Sequence, residues 1–171
     1  MSYTILEYKT LDSTNTFLKT YYEALSHLTI VRTRHQTAGR GQFDRTWSSK
    51  PNDNILCSIL LKDVALDKVE FHKQWVEQGL IRYLQNQGLM VTFKAPNDLY
   101  IGTKKICGIL TESKSDEQRF NYVVIGFGLN VNQTDFEGLN ATSMALELKH
   151  NLDVDSVFES LIQSLLSTYG D

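Results

Sequence analysis

Proline and cysteine are scarce in this chain. Its 171 residues include two of each: Pro51 and Pro96, Cys57 and Cys107. So few prolines leave no proline-rich linker at which to divide the chain, and no internal repeat or low-complexity tract offers another boundary. Two cysteines outside C-x-x-C spacing exclude a disulfide framework and a zinc ribbon, and read as buried, reduced thiols. Long apolar runs are missing too. Residues 59–61 and 123–125 are far shorter than the ~18 residues of a membrane span, and the N-terminus lacks the basic-then-apolar layout of a signal peptide. The expectation is a cytoplasmic protein with no membrane partner. Cations are not in excess: 17 Lys and Arg against 20 Asp and Glu give a formal net charge of -3, which supplies no broad positive field for nucleic acid. His27, His35, His72 and His150 have no ligand spacing, so no metal site built from protein ligands alone is expected.

What is present is ordinary globular material: 42% hydrophobic residues, enough to give one domain a full core. Residues 3–8 mix β-branched and aromatic types and read as a strand. Asp12-Ser13-Thr14-Asn15 then supplies N-cap chemistry for a polar helix to about residue 25. Residues 29–34 predict a second strand. Over 36–54 the apolar period gives way to glycine, polar and charged residues, and a loop of that length usually carries function. Residues 55–61 predict a buried strand, and 67–86 a helix with Val76, Leu80, Tyr83 and Leu84 on one face. Strands over 91–94, 105–112 and 120–131 follow, separated by the turn signals Pro96-Asn97-Asp98 and Ser115-Asp116, and short connections pair them antiparallel. A last helix over 155–168 keeps the 3.6-residue period, with Ser156-x-x-Glu159 as its capping box. The expected fold class is α+β: one mixed, mainly antiparallel sheet with helices packed against it.

Chemistry-bearing residues fall in five segments. In Gln36-Thr37-Ala38-Gly39-Arg40-Gly41-Gln42-Phe43-Asp44-Arg45-Thr46-Trp47, glycines let main-chain N–H groups approach an anion while Arg40 and Arg45 close over it. Ser13-Thr14-Asn15, standing alone, is more often a cap than a ligand contact. Lys94-Ala95-Pro96-Asn97-Asp98 alone reads as a turn, and Lys104-Lys105-Ile106-Cys107-Gly108 as the start of a strand. Ile125-Gly126-Phe127-Gly128-Leu129-Asn130-Val131-Asn132 ends a strand with glycines where a flat ligand can approach the backbone. It is not G-x-G-x-x-G and no long βαβ helix follows, which excludes a dinucleotide fold.

In this order and at these spacings, together with Ala141-Thr142-Ser143, the segments resemble the catalytic domain of biotin protein ligase over about residues 8–145. The resemblance implies a class II synthetase-like, biotin-lipoate ligase-like fold. It implies an ATP-dependent ligase that activates biotin as biotinyl-5′-AMP, releases pyrophosphate, and transfers biotin to a lysine of a biotin carboxyl carrier protein. ATP, Mg²⁺ held by substrate phosphates, and biotin as substrate come with it. So do residue roles. Ser13, Thr14 and Gln36 would hydrogen-bond the ureido head together with the main chain at Arg40, with Asn15, Gly41 and Gln42 also around biotin. Trp47 would wall the valeryl chain, Gly108 and Gly126 leaving it room. Arg40, Arg45 and Lys105 would surround carboxylate and phosphate oxygens, and Asn97 and Asn130 the nucleotide, Asn130 at adenine. Fixed cations and Mg²⁺ are what such a step needs, because a carboxylate attacking an α-phosphate brings two anions together. Asp98 is the candidate to position or deprotonate the acceptor lysine.

The sequence departs from the family pattern in the loop, where Gln42 replaces a second arginine and Phe43-Asp44 replaces Arg-Gly, and at Ala95, which replaces an aromatic residue. One single catalytic domain over 1–171 is expected, with neither the family's N-terminal DNA-binding domain nor its C-terminal β-barrel-like domain. Two other readings stay open: a lipoate or octanoate ligase or transferase, and a non-catalytic biotin-binding module. Whether the chain forms a homodimer through a sheet edge is also open.

Overall fold

The structure, a computed structural model, describes residues 2–43 and 45–170. Seven strands build one sheet: β1 (Thr4–Leu11), β2 (Thr29–Gln36), β3 (Asn54–Ala65), β4 (Val91–Lys94), β5 (Asp98–Ile101), β6 (Lys104–Ser115) and β7 (Arg119–Asn130), in the order β1-β2-β3-β7-β6-β5-β4. β1 and β2 are parallel and every other neighbouring pair is antiparallel. The parallel pair needs a crossover, which α1 (Thr14–Tyr21) provides. The remaining helices are α2 (Val69–Asn86), α3 (Met144–Leu148) and α4 (Val154–Leu166). This is the mixed, mainly antiparallel α+β sheet expected from the sequence.

Side-chain alternation divides the core between the two faces of the sheet. On β3, Ile55, Cys57, Ile59 and Leu61 join the large core shared with α2 and α4, whereas Leu60, with Val31 and Val124, packs on Leu18 of α1. A strand covered on both faces reads as a continuous apolar run, which is how residues 55–61 appear. α2 and α4 bury the residues their periodicity singled out, including Val76, Leu80, Tyr83 and Leu84 in α2 and Phe158, Leu161 and Leu165 in α4. Cys57 and Cys107 are free and buried, and burial pushes both thiols up, away from reactivity.

Four expectations are corrected. Asp98 opens β5 instead of sitting in a turn; a strand of four residues between Pro96-Asn97 and Gly102 is shorter than sequence periodicity can reveal. α4 is capped by Asp153, whose carboxylate accepts the Asp155 N–H at 2.9 Å, and not by Ser156 with Glu159. α1 ends at Tyr21 because the chain tightens there into turns, Ala24 N–H to Tyr21 O at 3.1 Å and Leu25 N–H to Tyr22 O at 3.3 Å. Ser143 caps a short helix, α3, where none was expected. No described helix is long and apolar enough to cross a membrane.

Candidate active site

A cleft of about 130 Å³ opens on the α1 face of the sheet. Ser13, Thr14 and Asn15 at the start of α1 form one end, with Gln36 at the end of β2. Gly108, Leu110, Gly126 and Gly128 form the floor, Arg40, Gly41, Gln42, Arg45, Thr46 and Trp47 a flap, and Asp98 with Lys105 the far end. The flap is a small hairpin closed by its own backbone. Gly41 N–H reaches Arg45 O at 2.8 Å, Arg45 N–H reaches Gln42 O at 3.1 Å, and Trp47 N–H reaches Gly39 O at 2.9 Å. Asp44, one of the loop's departures from the family pattern, lies outside the described residues.

That hairpin turns Trp47 back over the sheet. A Cβ on Gly128 would meet Trp47 Cε2 at 2.5 Å, and one on Gly108 would meet Cζ3 at 2.8 Å, so only glycine lets the indole lie this low. Trp47 Nε1 is shielded from solvent, lies low over Gly128 and has no hydrogen-bond partner among the described residues. The glycine roles differ from expectation. Gly128, with Gly108, accommodates Trp47, whereas the space above Gly126 holds Asn15 Oδ1 and Ser58 Oγ.

At the α1 end the polar groups form a connected chain. Ser13 Oγ accepts the Thr16 N–H at 3.3 Å as the helix N-cap, and Thr14 N–H donates to Gln36 Oε1 at 2.9 Å. Thr14 Oγ1 lies 2.6 Å from Ser58 Oγ, Ser58 donates to Asn15 Oδ1 at 2.5 Å, and Asn15 Nδ2 donates to Glu112 Oε2 at 2.9 Å. Glu112 Oε1 in turn takes Lys19 Nζ at 2.6 Å and lies 3.4 Å from Arg40 Nη2. Burial alone would raise the Glu112 pKa; hydrogen bonds from Lys19 and Asn15 and the charges of Lys19 and Arg40 outweigh it and hold the carboxyl below its ordinary range. At the other end Lys105 Nζ pairs with Asp98 Oδ1 at 2.8 Å and sits 5.3 Å from the Trp47 ring. Two of the three cations expected at the phosphate, Arg40 and Lys105, are thus resting on carboxylates.

Of the residues expected from the sequence, Ser13, Thr14, Asn15, Gln36, Arg40, Gly41, Gln42, Arg45, Trp47, Asp98, Lys105, Gly108 and Gly126 all line this cleft. Asn97 and Asn130 do not. Asn97 Nδ2 donates to Ile109 O at 2.8 Å and Asn130 Nδ2 to Thr142 O at 3.0 Å. Sequence reasoning missed Ser58 and Glu112. The signal for Ser58 is a lone hydroxyl inside the apolar run 55–61, and for Glu112 a position two and four residues beyond Leu110 and Gly108, hence on the same face of β6.

Residues 7–130, which carry every residue of this cleft, match the profile of the biotin/lipoate A/B protein ligase family. The chain belongs to that family. It is 33% identical over 150 residues to the bifunctional ligase/repressor BirA of Bacillus subtilis, covering 84% of this chain and 46% of that protein. It is 27% identical over 175 residues to the biotin–acetyl-CoA-carboxylase ligase of Paracoccus denitrificans, covering 93% of this chain and 72% of that one. The chain therefore spans about half the length of the Bacillus relative it matches. Among solved structures, the biotin protein ligase of Aquifex aeolicus in complex with biotin and ATP superposes with a TM-score of 0.77 at 24% identity, over 96% of this chain and 69% of that one. The Leishmania major biotin protein ligase in complex with biotinyl-5-AMP superposes with 0.75 at 22% identity, over 96% and 74%. At these identities the likeness is one of fold.

Proposed function

We propose that this cleft binds biotin and ATP, forms biotinyl-5′-AMP, and passes biotin to a lysine of a biotin carboxyl carrier protein. The observation that carries the reading is the order of donors and acceptors at the α1 end. Ser13 Oγ already accepts a backbone N–H, so its own proton is free for a ligand carbonyl. Gln36 Oε1 accepts from Thr14 N–H, which leaves its NH₂ as a donor, and Thr14 Oγ1 offers a lone pair between them. A cyclic urea, with C=O flanked by N–H groups, matches that set. The dithiolane ring of lipoate has neither group and would leave these polar atoms unpaired at ~1–3 kcal/mol each, which weighs against the lipoate alternative.

Further along, Trp47 supplies an apolar wall for the valeryl chain, and Lys105, Arg40 and Arg45, which line the same cleft, are the cations that would turn to the carboxylate and the α-phosphate. The roles expected of Asn97 and Asn130 at the nucleotide are not part of this reading, since neither residue lines the cleft and each spends an Nδ2–H on a backbone carbonyl. No group of three or more His, Cys, Asp and Glu gathers among the described residues, and the acid lining the cleft, Asp98, is paired with Lys105; Mg²⁺ in this reading is carried by the nucleotide phosphates and adds charge neutralisation there. Lys105 leaves Asp98 when it turns to the phosphate, and the freed carboxylate then faces the incoming amine. That matters because a free lysine with pKa ~10.4 is only about one part in a thousand neutral at pH 7. The test mixes the chain with ATP, Mg²⁺, biotin and an isolated carrier domain, read by intact mass. One ATP-dependent biotinyl adduct on the carrier's target lysine is expected; biotin bound without any adduct would select the non-catalytic module.

A further inference from the structure

An ionised carboxylate can only accept hydrogen bonds. Glu112 stands behind the cleft and takes Asn15 Nδ2–H at 2.9 Å, so Asn15 turns its Oδ1 the other way, toward Ser58. Leu110 O, 3.3 Å from the same Nδ2, holds that orientation. Oδ1 is also only an acceptor, which obliges the Ser58 hydroxyl, 2.5 Å away, to give its single proton there. Ser58 is fully buried, away from bulk solvent, with Asn15 and Thr14 as its side-chain partners. Across the 2.6 Å contact with Thr14, Ser58 Oγ must then accept and the Thr14 hydroxyl must donate. The approach of Thr14 Oγ1 to Gln36 Oε1 is longer, 3.2 Å, and competes for the same proton. The opposite order would set two lone pairs against each other between Ser58 and Asn15. Lys19 at 2.6 Å and Arg40 at 3.4 Å, both donors, keep the carboxylate in place.

We propose that Glu112, Asn15 and Ser58 form a one-way hydrogen-bond relay that fixes the Thr14 hydroxyl as an acceptor, and that this polarity selects a cyclic urea N–H over an isosteric ring presenting oxygen at the same position. The inference rests on the biotin reading and names the part of the substrate that the relay inspects. Ser58 and Glu112 lie outside the cleft lining and act through Thr14; they are positioning residues. A site built to pair with an N–H rejects the analogue lacking it far more strongly than shape alone permits, because two acceptors are then left facing each other.

The probes are biotin and its two cyclic carbamate analogues, in which one or the other ureido N–H is replaced by oxygen, titrated calorimetrically into the full chain. For one of the two isomers the wild-type chain is expected to bind at least ~10²-fold more weakly than biotin. In Ser58→Ala the Thr14 proton loses its 2.6 Å partner and keeps only the longer 3.2 Å approach to Gln36 Oε1, so it can turn to the ring oxygen, and the ratio should fall to within about tenfold. Glu112→Leu should lower the ratio likewise, whereas Glu112→Gln, which retains an accepting oxygen, should keep it; a purely structural role would change both affinities together and leave the ratio alone. Should Ser58→Ala fail to fold by its melting curve, the two Glu112 variants carry the test. A wild-type ratio near one, or a folded Ser58→Ala chain with the wild-type ratio, overturns the relay. A wild-type chain that binds none of the three compounds overturns the biotin reading itself.

Discussion

Lys104 and Lys105 are chain neighbours whose side chains leave β6 on opposite sides. Lys105 is half-buried against Asp98 and Trp47, and Lys104 is exposed. Deleting one preorganised donor at a developing phosphate charge commonly lowers rate by 10²–10³-fold. Lys105→Ala should therefore slow biotin-dependent pyrophosphate release by ~10²–10³-fold, with Lys104→Ala close to wild type in the same assay. Equal effects would make the position structural. Trp47 is tested from beneath. Gly128→Ala places a methyl 2.5 Å from the indole, which must rise off the sheet. Biotin affinity should drop by about tenfold or more, measured by calorimetry, and an unchanged affinity would show that the indole does not shape the site. Among single residues, the flap was legible from its own glycines and arginines, whereas Lys105, which alone reads as the start of a strand, was legible only through the family resemblance. Ser58 and Glu112 were not, because their roles arise only when α1, β3 and β6 meet: partners 43 and 97 residues from Asn15 leave no mark on local spacing.

Elements long enough to show a period were legible: α2, α4 and the strands β3, β6 and β7 all lie close to where the sequence puts them. The failures are short. β5 has four residues and α3 five, less than the pattern either period needs. The loss mattered for the site, because β5 is what carries Asp98 across from Gly108 and within reach of Lys105. The cap of α4 was misplaced for another reason: Asp153 and Ser156 are both good N-cap residues, and only the turn into the helix decides between them. Asp153→Ala should destabilise the fold by ~1 kcal/mol, the usual effect of losing an N-cap, while Ser156→Ala should change stability by less than half of that. Urea denaturation of both variants checks the difference; the reverse ranking would restore the capping box.

Across the whole molecule, β1, β2 and α4 are tied by one charge network. Arg32, 2% exposed, lies 2.7 Å from Asp155 Oδ1 and 4.4 Å from the centroid of Phe158, with Glu7 at 3.4 Å and Arg34 on the same Asp155 carboxylate. Pairing with Arg34, then with Arg32, holds the Asp155 pKa below its ordinary value against the opposing effect of burial. A carboxyl depressed in the folded state contributes stability that is fully present above its unfolded pKa, ~3.9, and is lost as pH falls through the lower folded value. Glu112 acts with the same sign. Asp155→Asn should lower stability at pH 7 by about 1–2 kcal/mol, a figure reduced because the Asp155 side chain is half exposed. Thermal melts from pH 7 downward should show the wild-type advantage shrinking below pH 4; parallel curves would separate Asp155 from acid sensitivity.

The proposed function requires that the cleft activate biotin. Pyrophosphate release by the purified chain, with ATP and Mg²⁺ and with biotin or lipoate supplied separately, tests it most directly. The arrangement of Ser13, Thr14 and Gln36 predicts release that depends on biotin and is negligible with lipoate; release driven by lipoate, or by neither acid, would mean that the cleft does not activate biotin.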